Sequence, residues 1–209
     1  MTAFTTAAMQ SPADVTNAAL VRIGYRLRVG SLFDGSLAAK KALDIYAQTR
    51  DELLRQNDWY FAEGNVILTL QKQAPAGGYV PPTIWNPATN PPLPWLYQYA
   101  YPQDALKIRA VKGQPLFIPS MDPNYNNFDT PNDNTLNPPA KVIVCNVANA
   151  VGVYTRQVTD PSNWDSDFGE ALVAAYARRL IPGLGNPELL KIAAPDEMQQ
   201  QQIAETTLG

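Results

Sequence analysis

The first apolar residues of the chain recur at helical spacing, directly after the signals that start a helix. Ser11 is a suitable N-cap, Pro12 suits the first helical position, and Asp14 lies three residues after the cap, as in a capping box. The apolar residues that follow are four positions apart and share one face: Val15, Ala19 and Ile23. A helix is therefore predicted over 12–25, and Gly24 is expected to end it.

A second and longer helix is predicted over 36–57, with Asp34 or Ser36 as its cap. Its apolar stripe has helical spacing and consists of Ala38, Ala42, Ile45, Tyr46, Thr49, Leu53 and Leu54. The charged side chains largely off this stripe are expected to form either a solvated face or a contact with a neighbouring subunit: Lys40, Lys41, Arg50, Asp51, Glu52 and Arg55.

A third helix is predicted after Asp165 and is expected to end at Pro182-Gly183. Its apolar stripe consists of Phe168, Leu172, Ala175, Tyr176 and Leu180. Asn186-Pro187 then restarts a helix, which Pro195 should kink or divide because proline lacks the backbone N–H. The tail from Gln199 to Gln202 is polar, so we expect it to fray or to bind a partner.

Between Asp58 and Asp160 the pattern changes from helical to alternating, which is typical of strands. One face of a strand carries Trp95, Tyr97, Tyr99 and Tyr101, and the next strand alternates Leu106, Ile108 and Ala110 with Lys107 and Arg109. Further strands are predicted over 65–70, 141–147 and 151–158, the last two as a hairpin through Asn149-Ala150. These strands predict a small antiparallel sandwich or an open barrel. The aromatic stripe favours core packing over a stacking platform for single-stranded nucleic acid, because no basic residues are interleaved.

Two loops in this region are long for a compact domain. Residues 75–94 are rich in proline, and residues 113–139 are rich in proline, asparagine and aspartate. Long loops of this kind are usually functional or disordered, and proline lowers the entropy that a loop loses when it docks. We therefore expect partner contacts in them, with four aromatic candidates: Tyr79, Trp85, Tyr125 and Phe128.

Composition narrows the classes of function. The chain has 45% hydrophobic and 17% charged residues, which is ordinary for a globular protein with a real core. Met1 to Gln10 has neither a basic residue nor a long apolar run, so neither a signal peptide nor a membrane anchor is expected there. The net charge is −3 and no basic run occurs, which disfavours a dedicated nucleic-acid reader. The single cysteine, Cys145, fits a reducing cytoplasm and is expected to be a small buried core residue.

The usual catalytic patterns are missing from the sequence. With no histidine, Ser-His-Asp and Cys-His activation and every histidine-containing metal site are excluded. The pairs Asp51-Glu52 and Asp196-Glu197 are adjacent on helices, where neighbouring side chains point about 100° apart and do not converge. Residues 122–133 match a calcium loop only weakly, and the glycine pairs Gly77-Gly78 and Gly183/Gly185 lack the rest of a phosphate loop. We expect no cofactor and no metal, and the sequence predicts a noncatalytic protein.

Several short segments, in this order and spacing, resemble tail tubular protein A and related head-to-tail adaptor proteins of tailed, podovirus-like bacteriophages. They are Ser11-Pro12-Ala13-Asp14-Val15-Thr16-Asn17-Ala18-Ala19-Leu20 with Ile23-Gly24, Arg50-Asp51-Glu52-Leu53-Leu54, Trp59-Tyr60-Phe61-Ala62, Tyr99-Ala100-Tyr101-Pro102-Gln103-Asp104-Ala105-Leu106-Lys107-Ile108-Arg109 and Phe168-Gly169-Glu170-Ala171-Leu172. The resemblance implies an α+β fold. A helical bundle would be formed by 1–57 together with 161–209, and 58–160 would be an inserted β domain.

The resemblance also implies a structural virion protein, made in the host cytoplasm. Such adaptors form a homo-oligomeric ring, dodecameric in the family, that contacts the portal protein on one face and the tail nozzle or tail tubular protein B on the other. Tail fibres are a further possible contact. DNA passes through the lumen without specific binding, and no membrane is involved. Beside the four aromatic residues, the expected contact residues are Arg178, Arg179, Pro195, Gln199, Gln202 and Ile203.

Two other classes of function stay open from the sequence. The aromatic sheet and the long loops suit a carbohydrate- or receptor-binding tail component. A cell-wall hydrolase that uses carboxylates is less favoured, because the carboxylate pairs do not converge.

Overall fold

The computed structural model describes residues 9–76, 84–113 and 127–184. Within these ranges the chain forms three α-helices and antiparallel β-sheets, which confirms the predicted α+β class. The fold divides into two compact units. The helical unit takes in the described residues up to Ala62 and from Gln157 onward, and the β unit is Glu63–Arg156.

Helix α1, Pro12–Arg22, begins and ends as its sequence predicts. Ser11 is the N-cap, and its Oγ accepts a hydrogen bond from the Asp14 N–H at 3.2 Å. At the other end, Gly24 has a φ of +70° and the Tyr25 N–H donates to the Leu20 carbonyl at 2.9 Å. This is a glycine-terminated Schellman turn, in which the left-handed residue lets the last carbonyls find donors.

Helix α2, Leu37–Gln56, has Ser36 as its N-cap. Ser36 Oγ accepts from the Ala39 N–H at 3.1 Å, while Asp34 Oδ1 accepts from the Ser36 N–H and so holds the preceding turn. Most of the predicted stripe is buried, but Ile45 is only half-buried. The expectation that Arg50 lies off the buried stripe is wrong, because its side chain is 8% exposed and pairs with Asp51 at 2.7 Å.

Helix α3, Ser166–Leu184, extends past the predicted stop at Pro182-Gly183. Pro182 lies inside this helix, where it lacks the N–H of one backbone hydrogen bond, and the neighbouring Ile181 is buried. Helices α1 and α2 both pack on α3. The predicted restart of a helix at Asn186 and the kink at Pro195 lie outside the described residues.

Tyr176 of α3 joins the three helices in the core of the helical unit. Its hydroxyl donates to the Ala42 carbonyl of α2 at 2.7 Å, and Thr16 of α1 donates to the same hydroxyl at 3.5 Å. The Tyr46 ring lies edge-on to Tyr176, with ring centroids 5.6 Å apart. Burial raises the pKa of Tyr46 to about 12, and its hydroxyl has no hydrogen-bond partner within the described part of the chain.

Aromatic rings pack the segment after α2 and the segment before α3 against the core of the helical unit. Trp59, Phe61 and Trp164 all pack against Phe168, with ring centroids 5.0 to 5.2 Å from it. The Trp59 indole donates to the Leu53 carbonyl at 3.1 Å, and the Trp164 indole donates to a backbone carbonyl at the same distance. Indole N–H groups that leave water need such partners, and of this cluster Trp59 and Phe168 are buried while Phe61 and Trp164 are half-buried.

The strands of the β unit, in chain order, are β1 Glu63–Ile67, β2 Leu70–Gln73, β3 Tyr97–Ala100, β4 Ala105–Lys112, β5 Phe128–Asp129, β6 Asn132–Asp133, β7 Ala140–Cys145 and β8 Val151–Arg156. One antiparallel sheet has the order β1-β8-β4. The other has the order β2-β3-β7-β5, and β6 also pairs with β7.

Two strand predictions are wrong. The segment 65–70 is not one strand, because β1 and β2 belong to different sheets. The hairpin through Asn149-Ala150 does not form either, since β7 pairs with β3, β5 and β6 whereas β8 pairs with β1 and β4. Asn149 has a φ of +50° in the segment that carries the chain from one sheet to the other.

The predicted alternation along β4 is broken by a bulge. The register with β8 shifts between Ile108 and Ala110, so Ile108 and Val111 are the buried residues of this strand. A bulge places one extra residue in a strand and moves every later side chain to the other face. The side chain of Arg109 is only 7% exposed, with its Nε donating to Thr155 Oγ1 at 2.9 Å, although the sequence predicts it on the polar face.

The core of the β unit contains side chains from both sheets. Its buried members are Leu68, Tyr99, Ile108, Val111, Ile143, Cys145, Val147, Ala150 and Tyr154. Burial of Cys145 and of Tyr99 is confirmed, and burial raises the pKa of the Cys145 thiol. Tyr97 and Tyr101 pack against this core, whereas Trp95 lies in the turn before β3.

Candidate functional site

A buried ion pair with several hydrogen-bond partners lies in the described β unit. Lys72 of β2 and Asp133 of β6 approach to 2.6 Å between Nζ and Oδ2, and their side chains are 7% and 8% exposed. Gln98 of β3 donates to the same carboxylate oxygen at 2.7 Å, and the Thr135 hydroxyl donates to Oδ1 at 2.7 Å. We call these four residues, with the Pro87 carbonyl, the Lys72 network.

Every proton of the Lys72 ammonium has an acceptor in this network. Besides Asp133, Nζ donates to the Pro87 carbonyl at 2.9 Å and to Thr135 Oγ1 at 2.7 Å. A buried charge is costly unless it is paired and hydrogen-bonded, and here both charges are. The network therefore links the strands β2, β3 and β6 with the loop that contains Pro87 and with Thr135 in the turn after β6.

The hydrogen bonds around Asp133 outweigh its burial. Burial alone would raise the pKa of this carboxyl, but the bonds from Lys72, Thr135 and Gln98 hold the pKa below its ordinary value of 3.8. Asp133 is therefore a stable carboxylate at neutral pH. A carboxylate that is fully occupied by donors in this way is a structural element rather than a free base.

The loop held by Lys72 is internally ordered, and we call residues 84–96 the proline loop. The Trp85 indole donates to the Pro91 carbonyl at 2.8 Å, and Asn86 and Asn90 exchange hydrogen bonds across the turn between them. A cavity of about 180 Å³ lies beneath the loop, lined by Lys72, Trp85, Pro87, Asn90, Pro92, Gln98, Pro131, Asn132, Asp133, Thr135 and Val142.

Large apolar side chains project from the proline loop into solvent. Ile84 is 86% exposed, Leu93 is 58% exposed and Trp85 is 39% exposed. Every residue from Gln73 to Gln103 is uncharged. Exposed apolar side chains on an ordered, uncharged loop are typical of a contact surface.

A second surface of the β unit is concave and exposes polar and apolar atoms in similar measure. A groove of about 290 Å³ is lined by Ile67, Leu68, Leu70, Gln73, Tyr97, Tyr99, Ala148 and Asn149. Ile67 is 67% exposed and Leu70 is 48% exposed. None of the lining residues is charged, so this groove resembles the proline loop in its chemistry.

The predicted contact residues lie in different places. Trp85 is in the proline loop, whereas Phe128 is half-buried in β5 and packs partly against the core of the β unit. Arg178 and Arg179 are both exposed on α3. Arg179 pairs with Glu52 of its own chain at 2.9 Å and donates to Thr49, so a carboxylate partner is already in place.

The remaining predicted contact residues lie outside the described residues: Tyr79, Tyr125, Pro195, Gln199, Gln202 and Ile203. The same holds for the calcium-like segment around Asp122 and for Asp196-Glu197.

The adjacent carboxylates Asp51 and Glu52 point to different partners. Asp51 binds Arg50 and accepts a hydrogen bond from the Gln157 amide at 2.7 Å, while Glu52 binds Arg179. In the described part of the chain, no group of three or more acidic or cysteine side chains is placed to hold a metal ion. Among the helices described, none combines the length and the apolar character needed to cross a bilayer.

The sequence contains little that predicts the Lys72 network. Lys72 and Asp133 are far apart in the chain, and neither lies in a recognisable motif. The local signal was limited to the single lysine of an otherwise uncharged segment, Gln71 to Gln103. Comparison with known proteins adds no identification: no protein-family model matches this chain, and no curated protein is significantly similar to it.

Proposed function

We propose that this chain is a structural virion protein, a head-to-tail adaptor that forms a ring between the portal and the tail nozzle of a tailed bacteriophage. The ring continues the DNA channel, and the DNA passes without specific contacts. The sequence segments that resemble tail tubular protein A and related adaptors are the starting point of this proposal.

The arrangement of the helices supports the adaptor fold. Helices α1 and α2 from the front of the chain pack on α3 from its back, as in a helical bundle built from both ends of a chain. A core with side chains from both sheets favours a β-sandwich over an open barrel.

The observation that carries the proposal is the exposure of large apolar side chains on loops and helix ends of both units. In the helical unit, Leu27 is 69% exposed and Phe33 is 81% exposed, and in the β unit Ile84 is 86% exposed. Isolated exposed apolar residues are common in monomers, but their grouping on ordered loops favours a subunit that is covered by neighbours.

Light scattering after size-exclusion chromatography, together with negative-stain electron microscopy, tests the proposal. The protein alone or mixed with its portal protein should give closed rings, and in the mixture the rings should lie on the portal. A protein that stays monomeric in both samples would refute the adaptor role.

Passage of DNA without binding gives a second test. The net charge of −3 predicts a lumen with more acidic than basic side chains. A shift of duplex DNA in a gel at physiological salt and sub-micromolar protein would contradict a conduit and favour a nucleic-acid reader.

One observation favours carbohydrate binding as a second candidate function. Trp85 borders a mainly apolar cavity whose lining also includes the amides of Asn90 and Asn132, and an aromatic ring beside amides suits a sugar ring. A glycan array should decide: binding that is lost in Trp85→Ala but kept in Trp95→Ala would support this candidate. A zymogram with cleared bands would instead support a cell-wall hydrolase.

A further inference from the structure

We infer that neighbouring copies of this chain join by inserting the proline loop of one β unit into the uncharged groove of the next. This inference rests on the proposed ring and names the surfaces that build it. The loop contributes Ile84 and Leu93, and the groove contributes Ile67, Leu70 and Tyr97.

The two surfaces lie on opposite faces of the same sheet. Leu70 and Gln73 of β2 pair with Tyr99 and Tyr97 of β3, and these four residues line the groove. Lys72 points to the other face, where Nζ binds the Pro87 carbonyl of the proline loop. Because the loop is fastened to the far side, it cannot fill the groove of its own chain.

Charge favours a second copy as the occupant. The chain carries a net charge of −3, so two copies meet with least repulsion where neither presents a carboxylate. The proline loop contains no charged residue, and none lines the groove. A nucleic acid or a strongly charged protein would find no counter-charge on either surface.

The shapes of the two surfaces predict a ring rather than a simple dimer. A loop that fits a different surface of its neighbour makes a heterologous contact, and repeated heterologous contacts close into rings when the rotation allows. The internal hydrogen bonds of the proline loop order it before it docks, which lowers the entropy lost on association.

Cysteine cross-linking of the full chain tests this contact directly. Leu93→Cys and Ile67→Cys are prepared separately, mixed under the conditions in which the parent assembles, and oxidised. The native Cys145 is buried and should stay unreacted in every sample. We expect a cross-linked dimer in the mixture and not in either variant alone, and a ladder of larger species from the double variant Ile67→Cys/Leu93→Cys.

Leu43→Cys mixed with Ile67→Cys is the matched control, because Leu43 is 42% exposed on α2 of the helical unit. This control should give no dimer. Leu93→Asp should also weaken assembly by about tenfold or more, since a carboxylate without a partner is costly to bury, whereas Leu43→Asp should not.

Two results would overturn the inference while the proposed ring survives. One is a parent that assembles while the mixed cysteine variants fail to cross-link. The other is cross-linking of Leu93→Cys with itself as strongly as with Ile67→Cys, which would mean a loop-to-loop contact. A parent that never assembles, alone or with the portal, would overturn the ring and the inference together.

Discussion

At the scale of single residues, the Lys72 network shows how a buried charge is made tolerable. Three acceptors surround the ammonium group and four hydrogen bonds reach the Asp133 carboxylate, from Lys72, Gln98, the Thr135 hydroxyl and the Thr135 N–H. The consequence is that the Pro87 carbonyl of the proline loop is held by the Lys72 ammonium group. Removing the Lys72 ammonium group or protonating the Asp133 carboxylate should therefore lower the stability of the protein.

Lys72→Met should destabilise the protein by about 3 to 5 kcal/mol, because it leaves the Asp133 carboxylate buried without a counter-charge. Urea unfolding measures the change. The double variant Lys72→Met/Asp133→Leu is the control and should regain most of the loss, because both charges are then gone. A single variant as stable as the parent would show that the pair is dispensable.

Acid should weaken the protein through the same carboxylate. The pKa of Asp133 is lowered from its ordinary 3.8, so its contribution to stability is fully present above that pH and is lost as the pH falls through the folded-state pKa. The urea midpoint of the parent should therefore decline below about pH 4 more steeply than that of Asp133→Asn. Parallel profiles would assign the acid sensitivity to other groups.

At Gly64 the space for a side chain is limited by the ring of Tyr154. Gly64 lies opposite Tyr154 in the β1–β8 pairing, and a Cβ at this position would lie 2.7 Å from the ring of Tyr154. Gly64→Ala should therefore cost about 1 to 3 kcal/mol as the ring or the strand moves. Gly30→Ala is the matched control, because nothing lies within 4 Å of its Cβ position. Thermal unfolding of both variants measures the difference, and equal losses would contradict the steric cause.

At the scale of elements, the helices of the helical unit owe their stability to packing around α3. Helices as short as α1 are marginal alone in water, and α1 carries a proper cap at each end without being long enough to stand free. Leu172 is fully buried among these helices, whereas Ile45 on α2 is half-buried. Both residues belong to predicted apolar stripes, so the sequence pattern alone does not show which of them is fully buried.

Leu172→Ala should cost about 2 to 5 kcal/mol, because it opens a cavity in a closed core. Ile45→Ala serves as the comparison and should cost clearly less, since part of the Ile45 side chain already contacts water. Urea unfolding gives both values on one scale. An equal cost at the two positions would mean that burial in this core does not set the energy.

At the scale of the whole molecule, the described chain divides into two compact units. Both ends of the described chain contribute to the helical unit, and the β unit carries the proline loop and the groove. The sequence after Pro195 is poor in large apolar residues. Low apolar content favours a segment that gains order on a partner.

Deletion of residues 195–209 should leave the fold intact and abolish attachment to the portal. Circular dichroism and urea unfolding check the fold, and co-sedimentation with portal rings checks attachment. If the truncated protein still attaches normally, the tail does not bind the portal. The adaptor role itself is then tested by microscopy.

Local signals in the sequence determined the helices and the fold class. Ser11 and Ser36 cap their helices as predicted, and the helical and alternating periods separate the helical segments from the strands. These features depend on neighbours within a few residues, because capping and periodicity are short-range effects. Burial of Cys145 also followed from its apolar surroundings in the chain.

Only the tertiary structure decided which segments meet. The failed hairpin of β7 and β8, the bulge in β4 and the burial of Arg50 all depend on contacts that form when distant segments pack. The Lys72–Asp133 pair is the clearest case, since either residue alone reads as a solvated charge. Their pairing becomes favourable only when the sheet brings both side chains out of water, because a charge selects its partner by its distance in space and not in sequence.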